Sequence, residues 1–144
     1  MPEKIIEKIK EDVEEVIKKG KEVPKTVREK VKEAVATALE KTEVTEKSIK
    51  KLTEDAVKGA LDAVKAAKAA SDRLADVAYS AATGAMEAIR DSGGKTKASL
   101  KDAKDGTIKG LEHELEVAKE STKEATEKVR AEIREAIKKI KERF

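Results

Sequence analysis

The sequence predicts an all-α protein, an elongated antiparallel three-helix bundle forming a single domain over residues 1–144. Two observations lead to this fold class. Apolar residues recur at steps of three and four along almost the whole chain, which is the period of an amphipathic α-helix. The chain has one Tyr, one Phe and no Trp, so Val, Ile, Leu and Ala must supply its core. Charged residues make up 44% of the chain, which suits a thin bundle with a large surface.

The first predicted segments are helices over about 3–19 and 25–41, separated by Gly20 and Pro24. Glycine commonly ends a helix and proline commonly starts one, so this stretch predicts a turn. It is also compatible with one kinked helix, since Pro24 would clash with the carbonyl of Gly20, four residues earlier. The apolar phase continues from Val16 to Val27 and favours the kink slightly.

The longest predicted helices cover about 46–91 and 97–144. Gly93 and Gly94 mark the clearest turn between them. Together with a continuous first segment, these rods of similar length predict the up-down-up bundle. The alternative is a long hairpin over 46–144 with a short hairpin over 3–41 packed on one half.

The middle helix is rich in alanine over more than one face, which has two interpretations. Alanine is the best helix former and is ordinary in a long helix. A ridge of small residues at four-residue spacing can instead be a contact face for a second copy or a partner helix. The candidate interaction face consists of Ser80, Ala81, Gly84, Ala85 and Ala88.

Tyr79 is the one aromatic residue of the predicted interior. Tyr79 and Ile108 are equally distant in sequence from the Gly93–Gly94 turn, so a hairpin centred there would bring them together. We hypothesise that Gly106 and Gly110 make room for the tyrosine ring. Tyr79→Ala is then expected to lower the melting temperature clearly.

The net charge of +3 is localised near the end of the chain. Residues 95–144 hold 14 basic and 11 acidic residues, whereas the two earlier thirds are balanced. The excess is densest in Lys138, Lys139, Lys141 and Arg143. We interpret these residues as cations placed favourably at a helix C-terminus. A patch for nucleic acid is not expected, because glutamates interrupt it and no aromatic residue can stack on bases.

Residues that carry chemistry are scarce, and the chain is predicted to be no enzyme, with no cofactor, no metal and no small-molecule substrate. His113 is predicted to lie on the outer face beside Glu112, Glu114 and Glu116, as a solvated side chain. Gly94-Lys95-Thr96 lacks the earlier glycine and strand of a phosphate-binding loop. With no cysteine, thiol chemistry and disulfides are excluded.

Three segments resemble known families. Val27 to Val35 and Val57 to Leu61 resemble uncharacterised bacterial all-helical proteins; this resemblance is one of composition, so it implies no site residues. Ala118 to Lys128 resembles late-embryogenesis-abundant stress proteins, which implies order only on drying or binding. The alanine-rich amphipathic helices are similar to phasins and exchangeable apolipoproteins, which implies a surface-coating role. A designed bundle is a further alternative, although its helix-interior Thr and Gly are poor design choices.

The predicted function is that of a non-enzymatic structural or interaction protein, a scaffold that presents one helical face. Its partner would be a second copy or another helical protein. The alternative is a conditional amphipathic coat for lipid, polymer-granule or stressed-protein surfaces. Cytoplasm is the expected location, because the start of the chain has no signal peptide and the longest uncharged run, Val77 to Met86, is too short to span a membrane.

Overall fold

A computed structural model describes residues 2–20, 22–41, 46–66, 71–91, 97–119 and 124–143. These residues form helices only, which confirms the all-α prediction. The helices are α1 Pro2–Lys19, α2 Val23–Glu40, α3 Glu46–Ala66, α4 Ser71–Asp91, α5 Lys97–Lys119 and α6 Glu124–Arg143.

The helices lie in two layers. In one layer α3 packs between α1 and α5, and in the other α4 packs between α2 and α6. Consecutive helices α1 and α2, α3 and α4, and α5 and α6 also pack against each other across the two layers. Because short connections join them, the members of each pair run antiparallel. The chain is therefore a row of three helical hairpins placed side by side.

Neighbours within a layer run in the same direction. A Cβ added to Gly106 of α5 would lie 2.6 Å from the carbonyl oxygen of Lys50, and one added to Gly110 would lie 3.0 Å from that of Glu54. Four residues forward on α5 thus correspond to four residues forward on α3, so the two helices are parallel. This arrangement is typical of stacked helical repeats, in which each unit contacts only its neighbours.

The predicted three-helix bundle is not what the described residues show. The segment predicted as one helix over 46–91 contains α3 and α4, and the segment over 97–144 contains α5 and α6. The predicted antiparallel pairing about Gly93 and Gly94 is met by α4 and α5, which contact each other and run antiparallel. It is not met by α3, which packs beside α5 and makes no contact with α6 among the described residues. The two glycines themselves lie outside the described residues.

A turn separates α1 from α2, so residues 3–41 are a hairpin and not a kinked helix. Gly20 has φ +69° and Glu22 has φ 44°, both in the left-handed region. Gly20 donates its N–H to the carbonyl of Val16 at 3.0 Å, which closes the last turn of α1. Pro24 stands in the first turn of α2, where its missing N–H costs no hydrogen bond.

Burial follows the position of each helix in its layer. The outer helix α1 buries a narrow stripe of Ile5, Ile9, Val13 and Val16 and exposes charged residues on the other side. The inner helices α3 and α4 are buried on most of their circumference. Alanine fills much of that surface, at Ala56, Ala60, Ala63, Ala78, Ala81, Ala82, Ala85 and Ala88. Small side chains allow neighbouring helices on several sides to approach closely.

Candidate functional site

The five residues of the candidate interaction face lie inside the protein. Gly84 is buried, and the exposed fraction is 7% for Ser80, 1% for Ala88 and zero for Ala81 and Ala85. Gly84 lies directly against the backbone of α2: an added Cβ would overlap the carbonyl oxygen of Arg28 and lie 3.2 Å from the amide nitrogen of Lys32. The ridge of small residues therefore contacts a helix of the same chain.

Charged side chains cross the same α2–α4 contact at its solvent side. The Nε of Arg28 lies 3.7 Å from Glu87, and the Nζ of Lys32 lies 3.7 Å from Glu87 and 3.0 Å from Asp91. The hydrogen bond from Lys32 lowers the pKa of the Asp91 carboxyl, and the same bond raises the pKa of the Lys32 ammonium. Arg28, Lys32 and Asp91 are substantially exposed and Glu87 is partly exposed, so solvent screens the pairs and they fix the register of the helices more than they stabilise them.

Thr83 of α4 has a buried hydroxyl that forms no hydrogen bond with another described residue. Its side chain is 2% exposed, and its Oγ1 has no hydrogen-bond partner among the described residues. Thr53 and Thr107 are buried as well, but their hydroxyls donate to carbonyls of their own helices, at 2.9 Å to Ile49 and 2.8 Å to Lys104 respectively. The α2–α4 contact is thus a close-packed seam with an ionic edge, and Thr83 adds a buried unpaired hydroxyl to α4.

This geometry joins the first hairpin to the second. A partner helix could reach the Ser80–Ala88 ridge only by displacing α2, together with its ion pairs. The arrangement of these residues supports helix packing, and it brings no nucleophile, base and acid together.

Tyr79 does not lie where the sequence hypothesis placed it. Its hydroxyl accepts a hydrogen bond of 2.8 Å from Arg143 at the end of α6, and the guanidinium lies 5.9 Å from the ring centroid. Gly106 and Gly110, expected to accommodate this ring, face α3 instead. They allow the backbones of α3 and α5 to approach closely. This close approach explains why α5 contains two glycines without a role for the Tyr79 ring.

The acidic residues near His113 divide between surface and interior. His113 and Glu112 are exposed, as predicted, but Glu114 is only 3% exposed, so its predicted place on the outer face is wrong. The side chain of Glu116 lies outside the described part of the chain, as do Gly94, Lys95 and Thr96. Among the described residues, no group of three His, Asp or Glu side chains is placed to hold a metal ion.

Asp55 is the buried carboxylate with the clearest electrostatic effect. One of its oxygens lies 3.4 Å from the Nζ of Lys51, whose side chain is half exposed. The other oxygen is buried with no partner in the described structure. Burial raises the pKa of the Asp55 carboxyl, and the nearby Lys51 opposes that effect only in part.

A shallow groove opens between α1 and α2 near their turn. Its volume is about 290 Å³, and its lining residues are Asp12, Glu15, Val16, Lys19, Glu22, Thr26 and Lys30. Glu15 is already paired with Lys19 at 2.9 Å, and this pairing lowers the pKa of the Glu15 carboxyl. Two of the five charged lining residues are therefore already paired with each other.

Sequence reasoning missed a short internal repeat that the packing makes visible. Residues 48–59 and 99–110 align without a gap, with identical Ser, Lys, Lys and Gly at four positions and Ile/Leu, Glu/Asp and Val/Ile at three others. Gly59 and Gly110 end the two copies and make equivalent contacts. Gly59 lies over the carbonyl oxygen of Ile6 and the Cβ of Ile9, and Gly110 lies over the carbonyl oxygen of Glu54 and the Cβ of Val57. A search for self-similarity would have found the repeat.

No family model matches this chain, and neither curated proteins nor solved structures show a significant similarity to it. The described helices include none that is long and apolar enough to cross a membrane.

Proposed function

We propose that this protein is a non-enzymatic helical-repeat scaffold, which binds another protein through the solvent-facing side of its stacked hairpins. The observation that carries the proposal is the repeated packing step along α1, α3 and α5. Gly59 and Gly110 occupy equivalent positions in a repeated segment and make the same contact with the preceding helix. Stacked helical repeats provide extended, rigid surfaces of this kind.

The partner surface differs from the one expected from sequence. The Ser80–Ala88 ridge is engaged by α2, so the available surfaces are the outer sides of the two layers. The outer edge of α1 exposes Glu7, Lys8, Glu11 and Glu15. Charged edges of this kind act as caps in repeat proteins and disfavour end-to-end stacking of copies. We therefore expect the partner to be a different protein, and sedimentation velocity at high protein concentration should give a monomer.

The alternative, a conditional coat, requires the apolar faces to leave the core and enter a lipid surface. A circular-dichroism melt in plain buffer distinguishes the two functions. High helicity with one cooperative transition supports a preformed scaffold, and low helicity that rises with anionic vesicles supports the coat.

A pair of leucine variants makes this test sharper. Gly84→Leu forces α2 away from α4, whereas Ala131→Leu adds leucine on the exposed side of α6. If opening drives lipid binding, Gly84→Leu should co-sediment with vesicles far more than Ala131→Leu. Equal and negligible sedimentation of both variants favours the scaffold.

A further inference from the structure

The last helix carries a line of cations that its neighbours do not neutralise. Arg130, Arg134, Lys138 and Lys141 follow each other at steps of four, four and three, so they lie within about 80° of the helix circumference. They span about 16 Å along the axis. Arg134, Lys138 and Lys141 are exposed, and none has an ion-pair partner among the described residues.

Arg130, at the start of this line, adds an unused donor. Its NH1 lies 3.7 Å from Glu127, but its Nε is buried and has no hydrogen-bond partner among the described residues. Because the Arg130 side chain is still 21% exposed, a phosphate would reach its terminal guanidinium N–H groups and not the buried Nε. The line therefore combines three free exposed cations with one partly buried donor.

From this arrangement we infer that α6 binds the phosphate backbone of duplex nucleic acid, independently of base sequence. The whole excess of three positive charges lies within residues 95–144, so the hairpin that contains α6 is the attractive end of the molecule. Regularly spaced Lys and Arg side chains are sufficient for contacts to phosphates.

The acidic residues beside the cation line favour a narrow anionic partner over a flat anionic surface. Glu135 and Glu142 are exposed and lie about 90° round the helix from the centre of the cation line. A flat anionic bilayer that covered the helix face would meet these carboxylates. One strand of a duplex can follow the cations without touching them. The chain has two aromatic residues, Tyr79 and Phe144, and Arg143 engages Tyr79. Single-strand binding relies on several aromatic side chains on which successive bases stack, so the duplex is the expected form.

The test is fluorescence anisotropy with a labelled 20-base-pair DNA duplex at 25 to 200 mM NaCl. Three or four phosphate contacts predict micromolar or weaker affinity and a slope of log K against log salt of about −3. The triple variant Arg134→Gln, Lys138→Gln, Lys141→Gln should lose at least tenfold in affinity at 50 mM NaCl.

A second triple variant controls for net charge. Lys25, Lys41 and Lys47 are exposed and carry no ion pair within the described structure, so Lys25→Gln, Lys41→Gln, Lys47→Gln removes the same charge elsewhere. Its affinity should stay within about threefold of the unmodified protein. Equal losses in the two triples would overturn the inference, because bulk attraction would then explain binding.

Two further outcomes count against the proposal. An affinity for the duplex that is independent of salt would exclude phosphate contacts. Binding to anionic phosphatidylserine vesicles without binding to the duplex would mean that the cation line binds a membrane instead. Circular dichroism of both triples checks that their helicity is unchanged, which is expected because every substituted residue is exposed. The proposed scaffold function does not depend on this result, since the three substituted cations, Arg134, Lys138 and Lys141, are exposed and lie outside the packing of the hairpins.

Discussion

Replacing the helix glycines by alanine gives opposite results depending on whether helix propensity or interhelical space decides stability. Alanine favours a helix interior over glycine by about 1 kcal/mol. On propensity alone, all four substitutions at Gly59, Gly84, Gly106 and Gly110 should stabilise the protein equally. The structure predicts a graded series instead, because each added methyl group meets a neighbouring helix at a different distance.

Gly84 and Gly106 have the least space. The added Cβ would overlap the carbonyl oxygen of Arg28 in the first case and the hydroxyl of Thr53 in the second. The Arg28 oxygen belongs to the backbone, so α2 and α4 must separate to accept it. Overpacking of this kind costs about 1–3 kcal/mol, and the gain in propensity offsets about 1 kcal/mol of it. Because this overlap is with backbone, the upper part of that range applies, about 2–3 kcal/mol. Subtracting the gain in propensity, we expect Gly84→Ala to destabilise the protein by about 1–2 kcal/mol, or roughly 5 °C in melting temperature for a chain of this size.

The other two glycines provide the graded comparison. An added Cβ at Gly59 would lie 2.7 Å from a carbonyl oxygen, whereas the closest atom at Gly110 would lie at 3.0 Å. Gly59→Ala should therefore be mildly destabilising, and Gly110→Ala close to neutral because its gain and loss are similar. Urea unfolding monitored by circular dichroism measures the series. If Gly84→Ala melts higher than the unmodified protein, the close α2–α4 contact is refuted, and with it the hairpin stack.

Three further substitutions test other parts of the structure. Glu22 has a left-handed φ of 44°, so Glu22→Gly should raise the free energy of unfolding by about 1 kcal/mol, while Gly20→Ala should lower it. Equal melting temperatures for the two variants would contradict the turn. Burial raises the pKa of the Asp55 carboxyl above 3.8, so the free energy of unfolding should fall as pH rises from 3.8 through the folded-state pKa, because the carboxylate ionises in a desolvated site. Asp55→Asn should lack this fall. Parallel curves of unfolding free energy against pH for the two proteins would show that the carboxyl is not desolvated. Tyr79→Phe removes an exposed hydrogen bond from Arg143 and should cost about 0.5 kcal/mol or less, whereas a loss above 2 kcal/mol would mean that the end of α6 is held mainly by this contact.

The helical character of the chain could be predicted because it is a local property. Apolar residues at steps of three and four gave α1 and α2 nearly to the residue, and Gly20 with Pro24 located the break between them. The ends of α3 and α5 gave no such signal. Residues 67–70 read Ala-Lys-Ala-Ala, all strong helix formers, so neither propensity nor periodicity indicates that α3 ends at Ala66. Residues at steps of three and four from Ile108 to Val129 likewise continue across the segment between α5 and α6.

The candidate interaction face lies against α2 of the same chain, and the sequence pattern alone could not reveal which helix it contacts. Small residues at four-residue spacing show that a helix packs closely, and Gly84 satisfies that expectation. Whether the second helix belongs to the same chain depends on the tertiary topology. The predicted three-helix topology differs from the observed stack of hairpins. Parallel neighbours within a layer require the hairpin repeat, and the only sequence evidence for it is the match between 48–59 and 99–110.

Alanine distribution would have distinguished inner from outer helices. An outer helix such as α1 has neighbours on one side, so a narrow Ile and Val stripe is enough and charges cover the rest. An inner helix such as α4 has neighbours on three sides, and bulky side chains all round would hold them apart. The broad alanine surface of α3 and α4 is therefore the expected composition of the middle of a stack. It also explains why an alanine-rich ridge is poor evidence for an external partner: the ridge is where the protein's own hairpins need to be closest. A free contact surface in such a stack should instead be sought on the outer helices, among exposed side chains that lack partners, and the cation line of α6 meets that description.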